Sequence, residues 1–296
     1  MAGMKAPANN FSTTNDMPAR ARIEMGRNMA LLFGDPGTGP WDYPAGRIQK
    51  GLVLAHGNRD LAEEGIGFGV PLLKLGPETI FPGCAHITTE KDSDTSIVEV
   101  NYDLNLVERM EFESGRSIDS SAFYKMRDYF SWLHRRYPPL RGVITRASNS
   151  LKLAYGIESR FKDIATVGIA NVVYLIHARE GTVHVSVNLS KLKKDGCTEI
   201  IIANEQGASH FDQYRDSNGV TIIGNAIGTW NETFADEASL IDSHDNIVFT
   251  LQKVEGARMF RGRELVAGRL AWSGLNYMIP RDTGDFAYDI RIGAIT

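Results

Sequence analysis

The stretch VEVNYDLNL, residues 98–106, alternates strictly between apolar and polar side chains. Val, Val, Tyr, Leu and Leu occupy every second position, and Glu, Asn, Asp and Asn occupy the positions between them. Successive side chains of a β-strand point to opposite faces, so this run predicts a strand with one buried face and one polar face. A helix would instead scatter the polar side chains around its circumference.

A second pair of strands is predicted at 171–178 and 182–190. A two-residue turn at Glu180 and Gly181 would join them as a hairpin and place His177 opposite His184. Directly opposed side chains have Cβ atoms ~4.5–5.5 Å apart, so the two imidazoles could hold a metal, share a proton or simply stack. Further strand candidates lie at 48–55, 151–161, 198–203, 219–223, 246–253, 264–272 and 286–292.

One segment, 119–137, is typical of a helix, because its apolar side chains recur at helical spacing. Asp119 or Ser120 can cap its start, and Pro138 with Pro139 ends it. The sequence therefore predicts an all-β, mainly antiparallel protein with one central α-helix near 119–137. The architecture is either a large β-sandwich or two packed β units.

The domain organisation follows from these elements. We expect a flexible N-terminal arm at 1–19, an N-terminal β half at 20–118, a connecting helix at 119–139 and a C-terminal β half at 140–296. The alternative is that the two halves form one continuous domain.

Composition excludes several classes of protein. The chain has 296 residues, with 43% hydrophobic content, 32 basic and 36 acidic side chains, which is typical of a globular protein. Because neither charge dominates and no apolar run is long enough for a signal peptide or a membrane span, we expect a cytoplasmic protein with no nucleic-acid or membrane partner. Two cysteines are too few for a disulfide framework or a cysteine-based zinc site.

Two glycine-rich stretches resemble nucleotide-binding loops but lack essential features. Residues 34–41 have the glycine spacing of a P-loop, but Pro40 and Trp41 stand where Lys and Ser or Thr are needed. Residues 65–69 are followed by Pro71 and a β-like run, where a dinucleotide loop would open a helix. We interpret 65–69 as a glycine-rich strand or bulge.

The candidate catalytic residues lie in polar stretches that follow apolar strands. In the stretch 204–216, His210 could act as a general acid or base near neutral pH, oriented by Glu205 or Asp212. His56 lies in a similar polar stretch after an earlier strand. The alternative for both stretches is a solvated connecting loop.

The candidate substrate-binding residues are two arginines for an anionic group, three aromatic side chains and the two opposed histidines. They are Arg160, Arg215, Tyr214, Trp272, Tyr277, His177 and His184. For any one aromatic side chain, packing in the core is the commoner role.

The functional prediction is an enzyme that uses acid–base chemistry, as a lyase, isomerase or hydrolase. Its ligand would be a polar, sugar-like small molecule on a concave sheet face, which is an argument from fold analogy. We expect no cofactor and no metal site.

The alternative is a non-catalytic ligand-binding or oligomer-forming β module. An enzyme should bring some of His56, His177, His184 and His210 together beside a carboxylate or an arginine. A module should scatter them and present an apolar patch at a symmetric homo-oligomer interface.

Overall fold

A computed structural model of the chain describes residues 22–33, 37–38, 45–63, 65–75, 78–91, 94–113, 116–117, 157–266 and 269–295. These residues form antiparallel strands in two packed sheets, and the predicted fold class is confirmed. The arm predicted at 1–19, the helix predicted at 119–137 and most of the stretch 34–41 lie outside the described residues.

The described residues form 22 strands, numbered here in chain order. Their bounds are β1 Arg22–Gly26, β2 Met29–Phe33, β3 Gly37–Thr38, β4 Ala45–Ile48, β5 Leu52–His56, β6 Arg59–Asp60, β7 Gly67–Leu75, β8 Glu78–Ile80, β9 Pro82–Lys91, β10 Thr95–Glu113, β11 Arg116–Ser117, β12 Ile157–His177, β13 Thr182–Asn188, β14 Glu199–Gln206, β15 Gln213–Asp216, β16 Thr221–Ile223, β17 Asn231–Thr233, β18 Glu237–Asp242, β19 Ile247–Gln252, β20 Arg258–Val266, β21 Arg269–Pro280 and β22 Asp285–Ala294. A 3-10 turn covers Gly224–Ile227. Within this described part, no helix has the length and apolar character needed to cross a membrane.

The first sheet has the strand order β1-β2-β5-β7-β14-β21-β20-β17. In addition, β6 pairs with β5, and β8 pairs with β7. The second sheet has the order β11-β10-β12-β13-β22-β19-β18-β15-β16, with β9 paired to β10. A short β3-β4 hairpin stands apart from both sheets. Each sheet contains strands from both halves of the chain, so the path crosses repeatedly between the two layers.

The core between the sheets confirms the strand predicted at 98–106. Val98, Val100, Tyr102 and Leu104 on β10 are fully buried and belong to one large apolar cluster with residues of the first sheet. Each fully buried aliphatic side chain of this kind stabilises the fold by about 1.5–3 kcal/mol.

The hairpin predicted between 171–178 and 182–190 has both strands, but its predicted register is wrong. His177 pairs with Thr182, and Leu175 pairs with His184. The loop between the strands has four residues, and its end is closed by the backbone amide of Gly181, which donates to the His177 carbonyl at 3.0 Å.

Packing against a distant strand explains this longer loop. Gly181 has a positive φ of 68°, and a Cβ there would collide with the backbone carbonyl of Ile292 on β22. His177 and His184 are therefore not directly opposed. His184 instead places its Nδ1 atom 2.7 Å from Oδ1 of Asp289, across the β13–β22 pair.

A line of tyrosine hydroxyls crosses the core between the two sheets. The hydroxyls of Tyr102 and Tyr174 lie 3.2 Å apart, and the Tyr174 hydroxyl donates to the carbonyl of Phe68 at 2.7 Å. Burial raises the pKa of both tyrosines. Gly69 permits this approach, because a Cβ there would lie 2.8 Å from the Tyr174 hydroxyl and its φ is 74°. The interpretation of 65–69 as a glycine-rich strand is confirmed from Gly67 onward.

Candidate functional site

Strand β14 changes from apolar to polar in the middle of the first sheet. After a run of buried isoleucines, the consecutive side chains of Asn204, Glu205 and Gln206 are all buried as well. Burying a polar group without a hydrogen bond costs about 1–3 kcal/mol. A polar run at the centre of a sheet breaks the usual apolar pattern, and such breaks are expected at functional sites.

Asn276 on β21 holds this polar run in place. The backbone pairing of β14 with β21 lapses at Ala203 and Asn204. There the Oδ1 atom of Asn276 accepts a hydrogen bond from the Asn204 amide at 2.7 Å. The Nδ2 atom of Asn276 donates to Oε1 of Glu205 at 3.3 Å. One side chain therefore closes the gap in the ladder and positions the Glu205 carboxyl.

Glu205 has the properties of a proton-transfer group at neutral pH. Burial raises its pKa to about 7, and the negative charge of Glu264 adds to the rise, while hydrogen bonds from Asn276 and the Ile66 backbone oppose it. A carboxyl with this pKa is present in both protonation states near pH 7, so it can donate or accept a proton.

Glu205 and Asn276 lie on the face of the first sheet that points away from the second sheet. Tyr277 of β21 packs against Tyr288 of the second sheet, with ring centroids 4.9 Å apart. Because side chains alternate along a strand, Trp272 and Asn276 must point to the opposite face. We call this the outer face.

Three aromatic side chains form a surface on the outer face, here called the aromatic surface: Trp230, Phe260 and Trp272. Trp230 stacks on Phe260 with centroids 5.3 Å apart, and Trp272 meets Trp230 edge-on at 6.3 Å. The Trp272 ring lies over Gly262, where a Cβ would be 2.6 Å from the ring. Both tryptophans are only partly buried, so their rings offer apolar area to a ligand.

Charged groups surround the aromatic surface. The Arg258 guanidinium lies 5.3 Å from the Phe260 centroid and forms ion pairs with Glu199 and Glu232. Glu264 lies opposite Trp272 in the β20–β21 pair. Aromatic area with a few placed polar groups is the usual composition of a small-molecule site.

Two of the four predicted histidines converge on a second cluster, which we call the His–Asp cluster: His56, His210, Asp242 and Asp245. The Nδ1 atom of His210 lies 3.5 Å from Oδ2 of Asp242, and the Nδ1 atom of His56 lies 3.3 Å from Oδ1 of Asp245. His177 and His184 lie instead on β12 and β13.

The partner of His210 differs from the prediction. The sequence predicts Glu205 or Asp212 as the group that orients His210, whereas the structure places Asp242 beside it. Glu205 extends from the outer face of β14. Burial lowers the pKa of the Arg263 guanidinium, and the negative charge of Asp212 opposes that shift, so Asp212 interacts with Arg263.

The loop that carries His210 is fixed from two sides. Arg263 donates to the carbonyl of Ala208 at 2.9 Å, and a carboxylate oxygen of Glu63 accepts from the amide of Ser209 at 3.2 Å. The position of His210 is therefore set by contacts on both flanks of the loop.

Two predicted pocket-wall residues belong to the core. Tyr214 and Tyr277 are fully buried, because strand alternation turns both toward the space between the sheets. The Tyr214 hydroxyl lies 2.7 Å from Oγ1 of Thr233, and the Tyr277 hydroxyl donates to the Gln252 carbonyl at 2.5 Å. Both side chains therefore pack in the core, and their ligand-binding role stays a prediction.

Of the two predicted arginines, Arg215 does not join the residues above. Arg215 is exposed on β15 of the second sheet. Arg160 lies on β12 opposite Met110, and its side chain is outside the described part. The residues that sequence reasoning left without a role are Asn276, Phe260, Asp242 and Asp245. The sequence pattern that could have identified Asn276 is its spacing from Trp272. The two residues are four positions apart on one strand, so they share a face.

A cavity of about 410 Å³ lies elsewhere in the molecule, between the β1–β2 turn and the β12–β13 loop. Its charged lining comes from Glu24, Arg27, Arg179 and Glu180. It contains none of the predicted site residues and no buried titratable group, so the outer face remains the better candidate site.

The chain matches no protein-family model and no curated protein. Similar solved structures include a galactose mutarotase-like protein from Clostridium acetobutylicum, with a TM-score of 0.40 and 10% identity over 90% of this chain and 93% of that one. A galactose mutarotase-like protein from Lactobacillus casei has a TM-score of 0.39 and 9% identity over 93% of this chain and 100% of that one. At these values no site residue is carried over, and function must be argued from the geometry of this chain.

Proposed function

We propose that the protein is an acid–base enzyme that binds a sugar-like small molecule on the outer face, with Glu205 as the proton-transfer group. The observation that carries the proposal is a buried carboxyl with a pKa of about 7, held by Asn276 on the same face as the aromatic surface. Perturbed carboxyls of this kind concentrate at functional sites.

The aromatic surface supplies the binding energy in this proposal. A sugar ring has an apolar C–H face that can pack on Trp230 and Trp272, because such rings offer large apolar area with little conformational entropy to lose. Hydroxyl groups at the edge of the sugar then meet the Glu264 carboxylate, which lies opposite Trp272. This arrangement favours a polar ring compound over a flat apolar one.

The two carboxyl groups, Glu205 and Glu264, supply the acid and the base. The negative charge of Glu264 favours the protonated form of Glu205. Interconversion of the anomers of a free aldose needs one such pair. A base removes the proton of the anomeric hydroxyl, an acid protonates the ring oxygen, the ring C–O bond breaks, and the reverse steps close the ring on the other face. Hydrolysis and elimination on sugars use the same two roles, so they belong in the same assay panel.

Trp272→Ala is expected to weaken sugar binding by about tenfold, because it removes partly exposed aromatic area worth about 1.4 kcal/mol. Titration of D-glucose, D-galactose and D-glucuronate by calorimetry would measure the affinity, after a thermal-shift screen selects the best binder. Trp272→Phe should restore part of it.

The control for this experiment is Ile223→Ala, which truncates a side chain that is 64% exposed on β16 of the second sheet. Its affinity should equal that of the unmodified chain. Equal binding by the Trp272→Ala variant would rule out the aromatic surface as the sugar site.

A non-catalytic binding module is the second candidate function. It is favoured by the low exposure of Glu205, at 8%, which leaves little of the carboxyl open to a substrate. Such a module would bind a sugar at the aromatic surface and would not accelerate anomer interconversion above its uncatalysed rate, measured by polarimetry at any pH from 5 to 9.

A further inference from the structure

The His–Asp cluster contains three side chains that could share one ion. One ligand atom from each of His210, Asp242 and Asp245 lies within 4.8 Å of the other two. His210 comes from the loop after β14, Asp242 ends β18, and Asp245 lies in the turn between β18 and β19. The three groups therefore converge from both sheets.

Asp242 has an oxygen aimed into this cluster without a hydrogen-bond partner. The Asp242 side chain is 1% exposed, and its Oδ1 accepts from the amides of His244 at 3.0 Å and Asp245 at 3.1 Å. Its Oδ2 atom is buried and makes no hydrogen bond, and it points toward Nδ1 of His210 at 3.5 Å. A buried carboxylate oxygen left unpaired is costly.

The carboxylate of Asp242 also faces a second acidic group, because an oxygen of Asp245 lies within 4.8 Å of it. A cation bound here would be attracted by two carboxylates and an imidazole. This attraction can offset the free energy that the cation loses when its water is removed.

His56 and Arg59 hold the second carboxylate from the other side. The Nδ1 atom of His56 lies 3.3 Å from Oδ1 of Asp245, and Arg59 forms an ion pair with Oδ2. Outer contacts of this kind fix the orientation of a metal-binding carboxylate.

We infer that His210, Asp242 and Asp245 form a site for a divalent transition-metal ion of the zinc class. An imidazole with two carboxylates suits Zn²⁺, whereas Ca²⁺ takes six to eight oxygen ligands. Three protein ligands leave a fourth position for water. The ion joins the His210 loop, which leaves the first sheet, to the β18–β19 turn of the second sheet.

The test is calorimetric titration of Zn²⁺ into the untagged, chelator-treated full chain, with a parallel thermal melt. We expect one ion per chain and a higher Tm with Zn²⁺, because an ion that binds only the folded state stabilises it. His210→Ala and Asp242→Asn should each weaken Zn²⁺ binding at least tenfold. Asn at 242 keeps the Oδ1 acceptor of the turn, so this variant decides the question if His210→Ala does not fold.

Two histidine variants are matched controls. His244 is exposed in the same turn, and His184 lies outside the cluster with its Nδ1 atom 2.7 Å from Oδ1 of Asp289. His244→Ala and His184→Ala should bind Zn²⁺ like the unmodified chain.

Binding below one ion per chain would overturn the inference. So would unchanged affinity in the Asp242→Asn variant, or loss of affinity in His184→Ala. Because the readout is ion binding, the result does not depend on whether Glu205 transfers protons.

Discussion

Glu205→Gln is expected to lower turnover of a sugar substrate by about 10²–10⁴-fold, the usual contribution of a general acid or base. Gln keeps the shape of the side chain and an oxygen that can accept from Asn276, so binding should change little. It cannot exchange a proton, so kcat should fall while KM is nearly unchanged. Steady-state kinetics by polarimetry measures both quantities.

The same substitution is expected to stabilise the protein at alkaline pH. The pKa of Glu205 is about 7 in the folded chain, compared with 4.5 for a glutamate that is not buried, as in the unfolded chain. Between these two pH values the native state therefore binds more protons than the unfolded state. Stability of the unmodified chain therefore falls as pH rises through this window, by about 3 kcal/mol at about 1.4 kcal/mol for each pKa unit. Glu205→Gln removes this loss, so urea unfolding should show a larger gain at pH 8 than at pH 5.

The control for both effects is Glu237→Gln. Glu237 begins β18 of the second sheet, is partly exposed and is paired with Arg291. Its substitution should leave turnover and the pH profile of stability unchanged. If Glu205→Gln keeps full turnover while His210→Ala loses it, the proton-transfer role belongs to His210.

Asn204→Ala is expected to destabilise the fold by about 3–5 kcal/mol. The Oδ1 atom of Asn204 accepts from the Tyr288 hydroxyl at 2.5 Å and from the Gly69 amide at 3.1 Å, so it links the two sheets. Alanine leaves both buried donors unpaired, at about 1–3 kcal/mol each, and adds a small cavity. Urea unfolding at pH 5 measures the change without the contribution of ionised Glu205.

Asn188→Ala is the matched control, because Asn188 is partly buried on β13 and its hydrogen bond to Asp285 is exposed. It should cost less than about 1 kcal/mol. The double variant Asn204→Ala with Tyr288→Phe should cost less than the sum of the single changes, because it removes the orphaned hydroxyl. Additive costs would show that the Tyr288 contact is not what Asn204 contributes.

The strands could be predicted from the sequence where one face is buried, and their registers could not. The alternation at 98–106 states which side chains of β10 point inward, because the period of a strand is two. The hairpin register depends on Gly181 meeting Ile292, more than a hundred positions away. No local pattern encodes that contact.

For the candidate site, too, the sequence predicted some residues but not the contacts between distant strands. Polar residues that follow an apolar run identified Glu205 and His210 as candidates, and the structure places Asn276 beside Glu205 and Asp242 beside His210. The partner of His210 could not be predicted, because Asp242 reaches it through the strand order of the second sheet. Residue type also could not separate Tyr277, which faces the core, from Trp272, which faces outward.

An amide side chain, and not a backbone pair, joins β14 to β21 at Asn204. Backbone pairing between strands tolerates almost any residue. The junction of β14 and β21 at Asn204 instead requires a side chain that accepts from the Asn204 amide and donates to Glu205. A substitution of Asn276 would remove both the hydrogen bond that joins these two central strands and the hydrogen bond that holds the Glu205 carboxyl. Stability and the position of the Glu205 carboxyl therefore depend on the same side chain.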